Sequence, residues 1–276
     1  MNVSTATKAA ASVAPAAHAA RMPFLAQVAM LTRRSLVTEF RQPAGIVPGL
    51  FLGVFFLLVY QASLSGAAEL FLRGQSYLGF ILPLSVVSSG LSGAGAAGQA
   101  LVRDINSGYF DKLLLTPVSR MALLLGPIIA AACIIVLQAG SVILVALLLG
   151  LQSATGVLGL LILLGYALLT GLALSGFIAG AALRTGSAGA TTAASFLLFP
   201  LTFLTATFTP VDMLTGWIKT AARFNPITYT LEATRSALNT GWDGGALLRG
   251  LIVLVGVSAV TFAFAFYSLR TRTRRR

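Results

Sequence analysis

Six long apolar runs constrain this chain more than any other feature: residues 46–64, 77–101, 122–149, 156–183, 187–209 and 247–269. Most reach the roughly 20 residues that carry a helix across a hydrocarbon layer about 30 Å thick. Arg249 is the one Lys, Arg, Asp or Glu inside them, and it sits near the start of the last run, where its side chain can snorkel to the interface. In lipid every backbone N–H and C=O must find its partner within the protein, so runs of this kind form helices. With 57% hydrophobic and 9% charged residues, 276 residues carry too much apolar surface for one soluble core. The expectation is an all-α integral membrane protein with six transmembrane helices. The third and fourth runs exceed the minimum length, so they tilt or extend beyond the bilayer.

The net charge of +12 could suggest a nucleic-acid partner, but its distribution argues for a membrane instead. Lys8, Arg21, Arg33, Arg34 and Arg41 precede the first run; Arg103, Lys112 and Arg120 lie in the second loop, Arg184 in the fourth, and Arg270, Arg272, Arg274, Arg275 and Arg276 in the tail. The alternate side holds only Arg73, Lys219, Arg223, Arg235 and Arg249. By the positive-inside rule both termini are cytoplasmic, and the tail is an orientation signal and a contact for anionic headgroups. One cysteine, Cys133, excludes an intrachain disulfide framework or a cysteine metal cluster, and the single His18 makes no metal site alone.

Residues 1–22 read as a disordered cytoplasmic tail, since no Leu-rich segment precedes the small-residue stretch around His18. Residues 23–276 read as a single transmembrane domain. Residues 24–41 can form an amphipathic helix along the membrane, with Phe24, Val28 and Leu31 on one face and Arg33, Arg34 and Arg41 on another arc. The alternative is an extension of the first span, against which Pro43, Gly45 and Pro48 argue. Gly90, Ala94 and Gly98 recur every four residues and let helices approach closely, for packing, a hinge or a substrate-facing surface. Phe196, Phe199 and Phe203 lie at helical spacing beside Pro200 and serve either core packing or a greasy translocation path.

Residues 210–246 change character. Residues 212–224 fit a short helix; Asn225 and Pro226 offer a cap and first-turn pair for a second one reaching Leu238, stopped by Asn239, Thr240 and Gly241. About 37 residues could scarcely support a globular domain, so two short amphipathic helices on the outer face are expected.

Residues 103–121, RDINSGYFDKLLLTPVSRM, form a charged, breaker-rich segment on the side assigned to the cytoplasm. Asp104, Asn106 and Ser107 can cap a helix that Pro117 ends, giving roughly 9 residues and about 13 Å. Such a helix is a docking element, or else the segment is a polar connection whose leucines Leu113, Leu114 and Leu115 rest on the membrane surface. The runs hold no ionisable residue at mid-depth that would bind a coupling ion. Gln138 is the main polar residue in the third run, either cementing helices or lining a path. Neither an HExxH set nor a GxxxxGK[ST] phosphate loop occurs, so energy for uphill transport must arrive through a partner.

The segment from Asp104 resembles the cytoplasmic coupling segment of type-2 ABC exporter permeases, with Asp104, Gly108, Leu113, Leu114, Thr116, Pro117, Val118 and Ser119 on the pattern. Residues 208–238 resemble that family's stretch before its last helix, through Phe208, Pro210, Trp217, Asn225, Pro226, Thr228, Tyr229, Glu232 and Arg235. Asp104 stands where the family often has Glu, and Asn106 where a second acidic residue is common. The resemblance implies a dimeric, non-enzymatic permease of a bacterial or archaeal plasma membrane, paired with two cytosolic ATPase subunits that hold ATP and magnesium. No cofactor is implied in this chain. It also implies an ATPase-docking surface around Asp104, Ser107, Gly108, Tyr109, Asp111, Lys112, Leu113, Thr116 and Pro117, and re-entrant outer helices carrying Trp217, Asn225, Pro226, Tyr229, Glu232 and Arg235. Cargo would be drug- or lipid-like, as in daunorubicin-type exporters, with a polysaccharide exporter as the alternative within the family. A membrane scaffold that recruits a cytosolic partner without transport is the alternative outside it.

Overall fold

A computed structural model describes residues 22–72, 76–205 and 213–274. The expected tail over residues 1–21, and Arg73, Phe208, Pro210 and Asp212, lie outside the described residues. Helix α1 spans Phe24–Arg41 and is followed by a 3-10 turn, Pro43–Gly45; α2 (Val47–Leu72) and α3 (Tyr77–Asn106) come next. Then follow α4 (Tyr109–Leu114), α5 (Arg120–Leu148), α6 (Val157–Thr185) and α7 (Ala188–Leu198), the last continued by a 3-10 turn, Phe199–Thr202. Helices α8 (Gly216–Phe224) and α9 (Pro226–Arg235) precede a π turn, Ser236–Thr240, and α10 (Gly244–Arg274) closes the chain.

Among the described residues five helices, α2, α3, α5, α6 and α10, are long and apolar enough to cross a membrane. The fifth apolar run departs from the expectation of one crossing helix: its helical part ends at Leu198, 11 residues after it starts, and tightens into the 3-10 turn. The cause is local. Pro200 has no N–H to donate to the preceding turn, and Thr202 Oγ1 instead bonds the Phe199 carbonyl at 2.7 Å. An uncharged run thus marks apolar surroundings without fixing where its helix stops, and a proline alone does not fix it either, since Pro83 and Pro127 sit inside α3 and α5.

Helix α3 is the axle of the bundle. It packs against α2, α5, α6, α7 and α9, and 89% of its most apolar window is buried within the chain, against 17% for α10. Small residues permit this. A Cβ on Gly93 would lie 2.7 Å from Ile135 of α5, and one on Gly98 would lie 2.6 Å from Ile178 of α6. Ile135 is fully buried, its side chain seated between Gly93 and Gly171 of α6. Gly90 and Ala94 of the expected small-residue stripe belong to the same buried surface. Helix α10 approaches α6 in the same way, since a Cβ on Gly176 would meet Thr261 at 2.9 Å. Without a hydrophobic drive between helices in lipid, such close approach supplies the dispersion contact that holds them.

At one end of the bundle α10 overshoots the core and ties the helix ends together. Arg272 donates to the Leu183 carbonyl in the last turn of α6 at 3.0 Å, and Arg120 donates to Thr273 at 3.1 Å. Helices α1 and α4 gather at this same end, while α8 and α9 cover the opposite one.

Two glycine substitutions separate packing from composition. Gly93→Leu forces α3 away from α5 and is expected to destabilise the folded chain by about 1–3 kcal/mol, the usual cost of overpacking. Gly140→Leu on α5, where nothing lies within 4 Å, leaves the SDS-unfolding midpoint of the purified protein unchanged.

Candidate functional site

The charged end is built around the turn between α3 and α4. The α3 backbone runs through Asn106, and Ser107 and Gly108 close it by donating to the Arg103 and Ile105 carbonyls. Gly108 then turns with φ of 70°, a left-handed conformation that glycine adopts without a Cβ clash, and its carbonyl receives the Lys112 N–H at 3.2 Å. The short helix therefore comprises 6 residues, not about 9, and its cap is the Gly108 backbone. Asp104 and Asn106 belong to the last turn of α3, and the Ser107 hydroxyl bonds back to the Asp104 carbonyl at 3.2 Å. The expected capping side chains were bypassed because α3 continues five residues past its apolar run.

One residue of α4 anchors it. Phe110 is 2% exposed and sits among Leu101, Val102, Leu123 and Leu124, with Leu113 and Leu114 packed alongside. Leu115 is 89% exposed, and Lys112, Thr116 and Pro117 are exposed around it, while Asp111 is half-buried. Thr116 Oγ1 closes the turn on the Leu113 carbonyl at 2.6 Å. The outcome is a fixed knob with one greasy residue aimed outward.

Helix α1 clasps this knob. Arg34 forks onto Asp104, Nη1 to Oδ2 at 2.8 Å and Nη2 to Oδ1 at 2.6 Å, and its guanidinium lies 3.8 Å from the centre of the Tyr109 ring. The bond to Asp104 raises the Arg34 pKa above its ordinary value, with burial working against it. Glu39, 2% exposed, pairs with Arg103, the residue just before Asp104 on α3. Gln27 donates to the Met22 carbonyl and accepts the Ser119 N–H, each at 2.8 Å, so α1 also holds the start of α5. The buried face of α1 is thus Gln27, Val28, Leu31, Ser35 and Glu39, while Phe24 of the expected apolar stripe is exposed. Reading by hydropathy missed the clasp because its residues are polar and their partners stand 64 and 70 positions away.

A cleft of about 290 Å³ opens between α2, α3 and α7 above the Glu39–Arg103 pair. Phe196 and Phe199 line it; Phe203 does not, stacking edge-on against Phe199 and Phe56 instead. Gln138 is fully buried away from the cleft, donating to the Ile46 carbonyl at 3.0 Å and so holding the start of α2 against α5.

At the opposite end Asn225 does two jobs. Its Oδ1 accepts the Ile227 N–H at 3.0 Å as the cap of α9, and its Nδ2 donates to the Leu201 and Leu204 carbonyls at 2.6 and 2.8 Å. Pro226 occupies the first turn, Tyr229 donates to the Arg223 carbonyl at 2.7 Å, and Trp217 is exposed. Arg235 is buried, donating from Nε to the Phe80 carbonyl at 2.8 Å with its guanidinium 3.5 Å from the centre of the Phe80 ring. Burial pushes Arg235 down to about 9, while Tyr77 and the neighbouring Glu232 hold it up. Helix α9 is thereby pinned to the first turn of α3, and α8 is tied to α9. Asn225→Ala removes a cap and strands two carbonyls, and should lower stability by about 2 kcal/mol in an SDS titration, with Asn225→Asp falling between it and the parent.

The ABC-2 type transporter family profile matches residues 26–239, from the first turn of α1 to the π turn before α10. The daunorubicin resistance ABC transporter permease protein of Streptomyces coeruleorubidus is 26% identical over 227 residues, which cover 79% of this chain and 77% of that one. A protein of Mycobacterium tuberculosis named "Probable doxorubicin resistance ABC transporter permease protein" is 22% identical over 243 residues, 88% of this chain and 87% of the other. The clasped knob, the buried axle and the paired helices before α10 all fall inside the matched stretch, and the chain belongs to the ABC-2 type transporter permease family.

Proposed function

We propose that this chain is the membrane subunit of an ATP-driven exporter, working as a dimer with two cytosolic ATPase subunits. The observation that carries it is the Arg34 clasp. A knob whose inner face is anchored by Phe110, whose outer face presents Leu115, and whose base is tied to both α1 and α3 is suited to receive a push and pass it into the bundle. The charged end is assigned to the cytoplasm, where Arg33, Arg34, Arg41, Lys112, Arg120 and the α10 tail place positive charge. Magnesium and ATP belong to the ATPase partner.

The names of the two relatives support a hydrophobic or amphipathic drug-like cargo. Phe196 and Phe199 on the cleft wall fit that class, and α8 and α9 dip back from the outer face to cap the path. The bacterial or archaeal plasma membrane is the setting.

Two variants test docking and transmission separately. Leu115→Glu, on the exposed tip, is expected to reduce co-purification of the cognate ABC ATPase subunit at least tenfold. Arg34→Ala should retain the ATPase but lose most cargo-stimulated ATP hydrolysis in liposomes, because Asp104 and Tyr109 lose their common partner. Unchanged association in the first variant argues against docking through α4.

A further inference from the structure

The cleft changes chemistry along its length. At the end nearest α1 it is lined by Glu39, Arg103, Gln99 and Thr192, the last two hydrogen-bonded at 3.0 Å; farther along α3 it is lined by Leu52, Leu91, Phe196 and Phe199. From Ser88 to Arg103 the α3 axis rises about 22 Å at 1.5 Å per residue, enough to run from headgroup level to just beyond the bilayer midplane. A volume of about 290 Å³ lies at the lower end for ligand pockets and is too small for two hydrocarbon chains.

The charges at the polar end are unequally available. Both line the cleft, but the Glu39 side chain is 3% exposed and Arg103 36%, so the guanidinium is the more available of the pair. Asp104, the next residue, is occupied by the Arg34 fork. A guanidinium has five N–H donors, and the pairing with Glu39 runs through one nitrogen, Nη2. What meets a ligand head here is therefore a donor-rich cationic edge.

Resting on the exporter reading, we propose that this cleft admits an amphiphile with one hydrocarbon chain and an anionic head, taken from the leaflet on the α4 side. The phosphate or carboxylate sits against Arg103, and the chain lies along Leu52, Leu91, Phe196 and Phe199. Gly95 keeps the passage open: its nearest neighbour is Ser195 Oγ, 3.4 Å from where a Cβ would stand.

The test is equilibrium binding of radiolabelled lysophosphatidylglycerol and of uncharged monoacylglycerol to the purified full chain in nanodiscs of neutral lipid. Saturable binding at least tenfold tighter for the anionic amphiphile is expected, with no competition from inorganic phosphate, since a free ion lacks the chain contacts. Gly95→Phe should abolish both. The double variant Glu39→Gln/Arg103→Gln leaves no unpaired buried charge and should erase the preference while keeping the weaker monoacylglycerol binding. Equal affinity for the two heads, phosphate competing on its own, or binding indifferent to Gly95→Phe overturns the proposal. So does a Gly95→Phe variant that dissociates the dimer while binding persists, which would make the cleft a seat for the second copy. No ATPase enters these measurements, so a failure here leaves the exporter reading intact, and a chain that binds the amphiphile but never exports it fails only the latter.

Discussion

Every helix crossing a hydrocarbon layer satisfies its own backbone, so burial of apolar surface cannot by itself choose how such helices pack. In this protein the choice falls to close approach along α3. Ile135 fits where Gly93 and Gly171 leave room, and Ile178 fits against Gly98, placing α5 and α6 on either side of one axle. Helices on the rim, α2 and α10, keep wide apolar faces such as Phe51, Phe55, Leu251 and Ile252 turned outward. The rest of the architecture hangs on that central contact, because both functional ends are attached to the two ends of α3.

Those ends are fastened by different chemistry. At the α4 end the fastening is ionic and partly exposed: the Arg34 fork on Asp104, the Glu39–Arg103 pair and the Gln27 bridge. Charge-assisted forks have strict geometry and modest net strength in partly hydrated surroundings, so they hold a direction while permitting movement. At the opposite end the fastening is buried: Arg235 on the Phe80 carbonyl and ring, and Asn225 on two carbonyls after α7. Separating a buried cation from its partners costs far more than opening an exposed pair. The α4 end of α3 is thus held by a yielding joint and the opposite end by a stiff one.

The break in the fifth apolar run belongs to the same picture. Where α7 ends and its 3-10 turn runs out, the Leu201 and Leu204 carbonyls receive Asn225, which couples the cleft wall to α8 and α9. The helix that lines the cleft and the helices that cover the opposite end are joined through one side chain.

Much of this was written in the chain itself. Hydrocarbon tolerates almost no charge, so the uncharged runs located α2, α3, α5, α6 and α10, and Asn225 with Pro226 announced the start of α9, since caps are local. Pro43 and Gly45 likewise separated α1 from α2. The sequence could not supply the partners of Arg34, Glu39, Gln27 and Arg235, because an ion pair between residues 70 apart leaves no spacing to read. The extent of α4 and the length of α7 were also decided in three dimensions. Burial of Phe110 and a left-handed Gly108 set the first, and the tightening into a 3-10 turn at Phe199–Thr202 set the second. Composition places a residue in lipid or water, whereas only the packed bundle decides which polar groups meet there.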